Sequence, residues 1–148
     1  MAVNVGASPR ALHTSRVCLS RDMSWVDQGP VTYNELKPYA VAPSGDITII
    51  DVREPNEVAQ GMIPSAVNVP LSVFPTAFDV NSSAPPSIDF QREFSFPRPS
   101  YDSKIIFYCR SGKRSAEATD LARKRGWWDT RNYPGGWLNW VDEQKKEK

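Results

Sequence analysis

Histidine is nearly absent from this chain, and cysteine is scarce. Among 148 residues there are one histidine, His13, and two cysteines, Cys18 and Cys109. So few soft ligands exclude a structural zinc site of the usual Cys and His type, and no metal or other cofactor is expected. They also exclude a disulfide framework, because the two cysteines stand in unlike contexts. Cys18 reads as an unremarkable thiol. His13 lies near the start of the chain, away from Cys109, so a Cys–His catalytic pair is not expected either. Long apolar runs are missing as well. The stretch 47–52 is among the longest, and it ends far too soon to cross a bilayer, so no membrane partner is expected. Neither sign of charge dominates: 18 basic and 17 acidic residues leave a net charge of +1. That balance points to no polyanion, and no alternation of basic and aromatic residues supports nucleic-acid binding.

Acidic residues are missing from one place in particular. The first is Asp22, and before it come Arg10, Arg16 and Arg21 among serines, alanines and Thr14. Basic, hydroxyl-rich and acid-free is the composition of a mitochondrial transit peptide, expected over 1–22, with a plain disordered leader and a cytoplasmic protein as the alternative. The body of the chain has the length and the balance of one ordinary globular domain, expected over 28–144.

That body alternates strand and helix signals. A short strand is expected at 31–32 and a helix at 33–39, with Thr32 as N-cap and Glu35 at the capping-box position. The run Ile47-Thr48-Ile49-Ile50-Asp51-Val52 is β-branched and nearly continuous, which marks a strand buried on both faces. Pro55 suits the first turn of a short helix. Further strands are expected at 66–69, 104–109 and 130–133, and helices at 115–125 and 137–143. The sum is an α/β domain with a mainly parallel, five-stranded sheet flanked by helices. The stretch 79–103 breaks the rhythm with four prolines, Pro85, Pro86, Pro97 and Pro99. It reads as a surface insertion bordering the active site, with a helical turn around 88–93.

The chemistry is concentrated in Cys109-Arg110-Ser111-Gly112-Lys113-Arg114-Ser115. Cys109 ends a buried strand, and a helix begins within a few residues. In open α/β sheets this carboxyl end of a strand is where ligands bind. Gly112 permits the backbone angles that turn successive N–H groups toward one point. Arg110, Lys113 and Arg114 add positive charge, and Ser111 and Ser115 add hydroxyl donors. Such surroundings stabilise a thiolate, so the loop alone describes a nucleophile for an anionic substrate. Cysteine-dependent phosphatases place one residue more between cysteine and arginine than the four that separate Cys109 from Arg114 here. The tighter loop suits a nucleophile that carries a single sulfur atom. A phosphatase or arsenate reductase of related fold stays as the alternative enzyme.

Three blocks together resemble the rhodanese family, over roughly 31–141. The first is Asp51-Val52-Arg53-Glu54-Pro55-Asn56-Glu57 followed by Gly61-Met62-Ile63-Pro64-Ser65-Ala66-Val67-Asn68-Val69-Pro70, the second is the loop, and the third is Tyr133-Pro134-Gly135-Gly136-Trp137-Leu138-Asn139-Trp140. The loop looks most like that of small single-domain eukaryotic, fungal-type thiosulfate sulfurtransferases. The departures are Met62 where the family usually has histidine, Ser65 where it has glycine, and Val58 where an aromatic is common. The resemblance implies a single rhodanese-like domain in which Cys109 takes sulfur from thiosulfate as a persulfide. A thiol such as glutathione, or cyanide, then accepts it. It implies substrate contacts from the loop residues Arg110 to Ser115, with Trp137 near the pocket. Arg53 and Glu57 are expected to form an ion pair within the same framework as Asp51. A monomer or weak dimer is expected. A rhodanese-like module that binds partners without catalysis is a further alternative, and the retained Cys109 weighs against it.

Overall fold

The computed structural model describes residues 21–79 and 86–148. Most of the expected leader, with His13 and Cys18, lies outside the described residues, as does part of the 79–103 stretch.

The first helix, α1 (Tyr33–Val41), starts where Thr32 Oγ1 accepts the Glu35 N–H at 3.2 Å. That is the expected N-cap, but only half of a capping box. The Glu35 carboxylate does not turn back to Thr32; it is a salt-bridge partner of the buried Arg131. Strand β1 (Ile47–Asp51) leads to a single turn of helix, α2 (Pro55–Val58), in which the Glu54 and Glu57 side chains cap each other's backbone. Strand β2 (Ala66–Asn68) is followed by a 3-10 turn at Leu71–Val73 and the short α3 (Phe74–Ala77). Then come α4 (Pro86–Phe94), β3 (Lys104–Tyr108), α5 (Lys113–Lys124), β4 (Thr130–Asn132) and α6 (Gly136–Lys146).

The sheet has order β2-β1-β3-β4 and is parallel throughout. It has four strands among the described residues, where the sequence suggested five. The segment expected as the first strand contributes one bond, from Val31 N–H to the Asn132 carbonyl at 2.9 Å. Its neighbours explain why no ladder forms. Pro30 has no N–H to donate, and Thr32 is already the cap of α1.

Strand alternation sorts the core into two layers. Ile49, Ile106 and Tyr108 face α1, α6 and the covering Trp25 and Val31, while Ile50, Ile105, Phe107 and Cys109 face α3, α4 and α5. Period two therefore decides the face on which the cysteine lies. The stretch 79–103, expected as a surface insertion, supplies core to that second layer through Phe90. Phe90 of α4 is 3% exposed and meets Phe78 edge-on at a ring separation of 5.8 Å.

Candidate functional site

Cys109 leaves the end of β3 almost fully buried, at 1% exposure. Three donors point at its sulfur. The Gly112 N–H lies 3.1 Å from Sγ, the Ser115 N–H 3.4 Å and the Ser115 hydroxyl 3.4 Å. Burial pushes the thiol up. Hydrogen bonds from the Ser115 hydroxyl and from the Ser115, Ser111 and Gly112 amides more than offset it and leave the thiol below the ordinary cysteine range. A buried sulfur ringed by donors is a cradle for negative charge, and among the described residues no imidazole takes part.

Gly112 makes this geometry possible. Its φ of +95° turns the chain sharply into α5, and a Cβ there would lie 2.4 Å from the Pro134 carbonyl oxygen. No other residue has that backbone freedom without overlap. The Gly112 carbonyl is itself held by the Ala116 N–H at 3.0 Å, the Ser115 hydroxyl at 3.1 Å and the Asn132 amide at 3.4 Å.

The three cations of the loop divide into two kinds. Arg110 and Lys113 are exposed, and among the described residues neither side chain has an ion-pair or hydrogen-bond partner. Arg114 is engaged. Its guanidinium grips Glu57 with two parallel bonds, 2.7 Å to Oε2 and 2.9 Å to Oε1. This fork holds the Glu57 carboxyl down to about 2, against partial burial and with help from the Glu54 N–H.

The expected Arg53–Glu57 ion pair is not formed. Arg53 lies in a bend ahead of α2, where helical spacing does not apply. Its guanidinium folds back onto Asp51, with Nε 3.1 Å from both carboxylate oxygens and one terminal nitrogen 2.8 Å from Oδ2. Both side chains are buried, and the same nitrogen donates to the Gly61 carbonyl at 2.7 Å. A buried charge pair of this kind is tolerated only when its remaining valences are met, as they are here. Trp137 lies over the Arg53 guanidinium at 5.0 Å and packs partly buried against the core.

The third block closes against the loop through backbone. Trp137 N–H donates to the Cys109 carbonyl at 2.8 Å, and Leu138 N–H to the Arg110 carbonyl at 3.2 Å. All eleven residues singled out in the sequence thus gather at the carboxyl ends of the strands. Six partners were not singled out: Glu54, Gly61, Ala116, Asn132, Pro134 and Leu138. The signal for them was weak, since each contributes backbone or a single amide. Trp127, Trp128 and Trp140 serve packing and surface contacts. Trp127 Nε1 donates to the Pro99 carbonyl at 2.9 Å and Trp128 Nε1 to Asp102 at 3.0 Å, while Trp140 packs on Tyr33.

Among the described residues no cluster of three or more His, Cys, Asp or Glu side chains is placed to hold a metal ion. Nor is any helix among them long and apolar enough to cross a membrane.

Comparison with known proteins gives a consistent result. The family described as Rhodanese-like domain matches residues 38–143. The human thiosulfate:glutathione sulfurtransferase is 36% identical over 102 residues, covering 68% of this chain and 84% of that protein. A mitochondrial thiosulfate sulfurtransferase of Saccharomyces cerevisiae is 32% identical over 110 residues, covering 74% of this chain and 70% of that one. The structure of a human single-domain sulfurtransferase superposes with a TM-score of 0.68 at 33% identity, covering 77% of this chain and 96% of that one.

Proposed function

The chain belongs to the rhodanese-like domain family, and from that premise we propose that it is a thiosulfate sulfurtransferase with Cys109 as its sulfur carrier. The observation that carries this reading is the buried Cys109 sulfur with its Gly112 and Ser115 donors. The names of the human and yeast relatives support the substrate class.

In the first half-reaction the Cys109 thiolate attacks the outer sulfur of thiosulfate. A bond forms from Sγ to that sulfur, the bond to the sulfonate sulfur breaks, and sulfite leaves with the electron pair. The persulfide that remains carries its negative charge on the terminal sulfur, within reach of the loop amides. In the second half-reaction the thiolate of an acceptor such as glutathione attacks the terminal sulfur and departs as a persulfide. Cyanide attacks in the same way and leaves as thiocyanate. Either route returns the Cys109 thiolate. Arg110 and Lys113 are the exposed cations available to draw in the anionic donor, with Ser111 beside them. No metal or organic cofactor enters any step.

The human relative's name favours glutathione as acceptor. The basic, acid-free leader and the yeast relative's name favour a mitochondrial protein. A monomer or weak dimer is the proposed state; the large exposed apolar side chains among the described residues are Met23, Val41, Val73, Tyr101 and Leu138.

Mass spectrometry after thiosulfate treatment tests the proposal. Cys109 is expected to gain the mass of one sulfur atom and to lose it again on addition of glutathione, while Cys109→Ser gains nothing. An unmodified Cys109 under turnover conditions would overturn the reading.

A further inference from the structure

Arg114 lies in the first turn of α5, and its charge interacts with that of Cys109. It would be the obvious ligand for an anionic donor. The structure gives it a different task. Its two terminal nitrogens are both spent on Glu57, and Glu57 is fixed from the other side. Glu57 Oε2 also accepts the Glu54 N–H at 3.0 Å, and the Glu57 carbonyl accepts from Arg53 at 3.4 Å. Arg53 in turn is locked to Asp51 at the end of β1. A continuous set of polar contacts therefore runs from β1 through α2 to the first turn of α5. Ser115, the next residue after Arg114, supplies two of the three donors on Sγ.

We propose that Glu57 is a positioning residue for Cys109: by holding Arg114 it withholds that guanidinium from the donor and fixes the first turn of α5, so that the Ser115 amide and hydroxyl stay aimed at the sulfur. The loop cations thereby divide the labour. Arg110 and Lys113 attract the donor, and Arg114 shapes the cradle. The inference rests on the reading of Cys109 as the nucleophile, but its test does not require sulfur transfer.

The charged groups that act on the pair are Arg53 and Glu54 on the β1 side, and Cys109 itself on the loop. Simple electrostatics and positioning predict opposite results for Glu57→Gln. Removing a negative charge beside Arg114 leaves that cation less neutralised, which on its own favours the thiolate. Releasing the first turn of α5 loosens the Ser115 donors, which disfavours it.

The experiment is the pH dependence of Cys109 alkylation by iodoacetamide, followed in the full chain by mass spectrometry. With Glu57→Gln the midpoint should rise by about half a unit, slowing alkylation near neutral pH about threefold. Arg114→Lys, which keeps the charge but loses the fork, should move it the same way. In an Arg114→Ala background, Glu57→Gln should add nothing further, since Glu57 acts only through Arg114. A midpoint that falls or stays put in Glu57→Gln, or two effects that simply add, would overturn the proposal. Failure of Cys109 to take up sulfur from thiosulfate would count against the sulfurtransferase reading and leave these alkylation results to stand or fall by themselves.

Discussion

The backbone N–H of Trp137 meets the carbonyl oxygen of Cys109 at 2.8 Å, so the start of α6 is tied by backbone to the residue that follows β3. That closeness leaves no space at Gly136. A Cβ there would lie 2.5 Å from the Arg110 carbonyl oxygen and 2.6 Å from that of Cys109, on a backbone with φ of +64°. Gly136→Ala combines the left-handed penalty, about 1–2 kcal/mol, with a backbone overlap. It should lower unfolding stability by at least about 2 kcal/mol in a urea titration and slow thiosulfate turnover. A stability within roughly 0.5 kcal/mol of the parent would show that the two segments separate freely.

Much of this was readable in the sequence, for identifiable reasons. The run from Lys104 to Tyr108 is apolar enough to be a central strand, and the glycine and hydroxyls after Cys109 name the anion cradle. The glycines of the third block announce a turn, though not the close backbone approach found there. Other features depended on tertiary choices. Helical spacing suggested Arg53 with Glu57, yet Arg53 precedes α2 and folds back on Asp51, freeing Glu57 for Arg114. The first expected strand shrank to one hydrogen bond because Pro30 and the α1 cap flank Val31. Nothing local marks Arg131 as the buried clamp that binds Glu35 and the Gly29 carbonyl, since its partners are about a hundred residues away in the chain.

Ser65 replaces the glycine usual in the family and sits at φ +70°. Its hydroxyl donates to the Ala40 carbonyl at 2.6 Å, linking the start of β2 to the end of α1. Ser65→Ala keeps the backbone penalty and loses the bond, so it should cost about 1 kcal/mol. Ser65→Gly loses the bond but relieves the backbone, and should fall within about 0.5 kcal/mol of the parent. Equal stability for the alanine variant would remove the hydroxyl's role.

The insertion is expected to be part of the core rather than an appendage. Phe90 lies in a run of aromatic contacts with Phe78, Phe94 and Phe96. Phe90→Ala should destabilise the domain by about 3 kcal/mol, measured by the urea midpoint. A negligible change would mean that α4 detaches from the sheet without consequence.

Arg110 and Lys113 are exposed, so their contribution should be electrostatic capture of the donor. Arg110→Ala and Lys113→Ala should each raise the KM for thiosulfate about threefold with kcat largely kept. Added salt should raise the parent's KM and narrow the gap, because exposed charges are screened. A loss confined to kcat would instead place these cations at the bond-breaking step.

The Glu57–Arg114 fork should also be visible in acid. Hydrogen bonds from Arg114 hold Glu57 down to about 2, below the ordinary 4.5, despite partial burial. A carboxylate lowered on folding stabilises the native state fully above its unfolded value. That contribution is lost as pH falls through the folded value. The parent's advantage over Glu57→Gln should therefore be constant above about pH 5 and shrink between about 4.5 and 2. Its size should be modest, about 1 kcal/mol or less, since solvent reaches the pair. Arg114 remains charged throughout and adds no slope. Urea unfolding of both proteins across this range measures the difference directly. A gap that stays flat through the window would mean that the carboxylate gains nothing from Arg114 in solution.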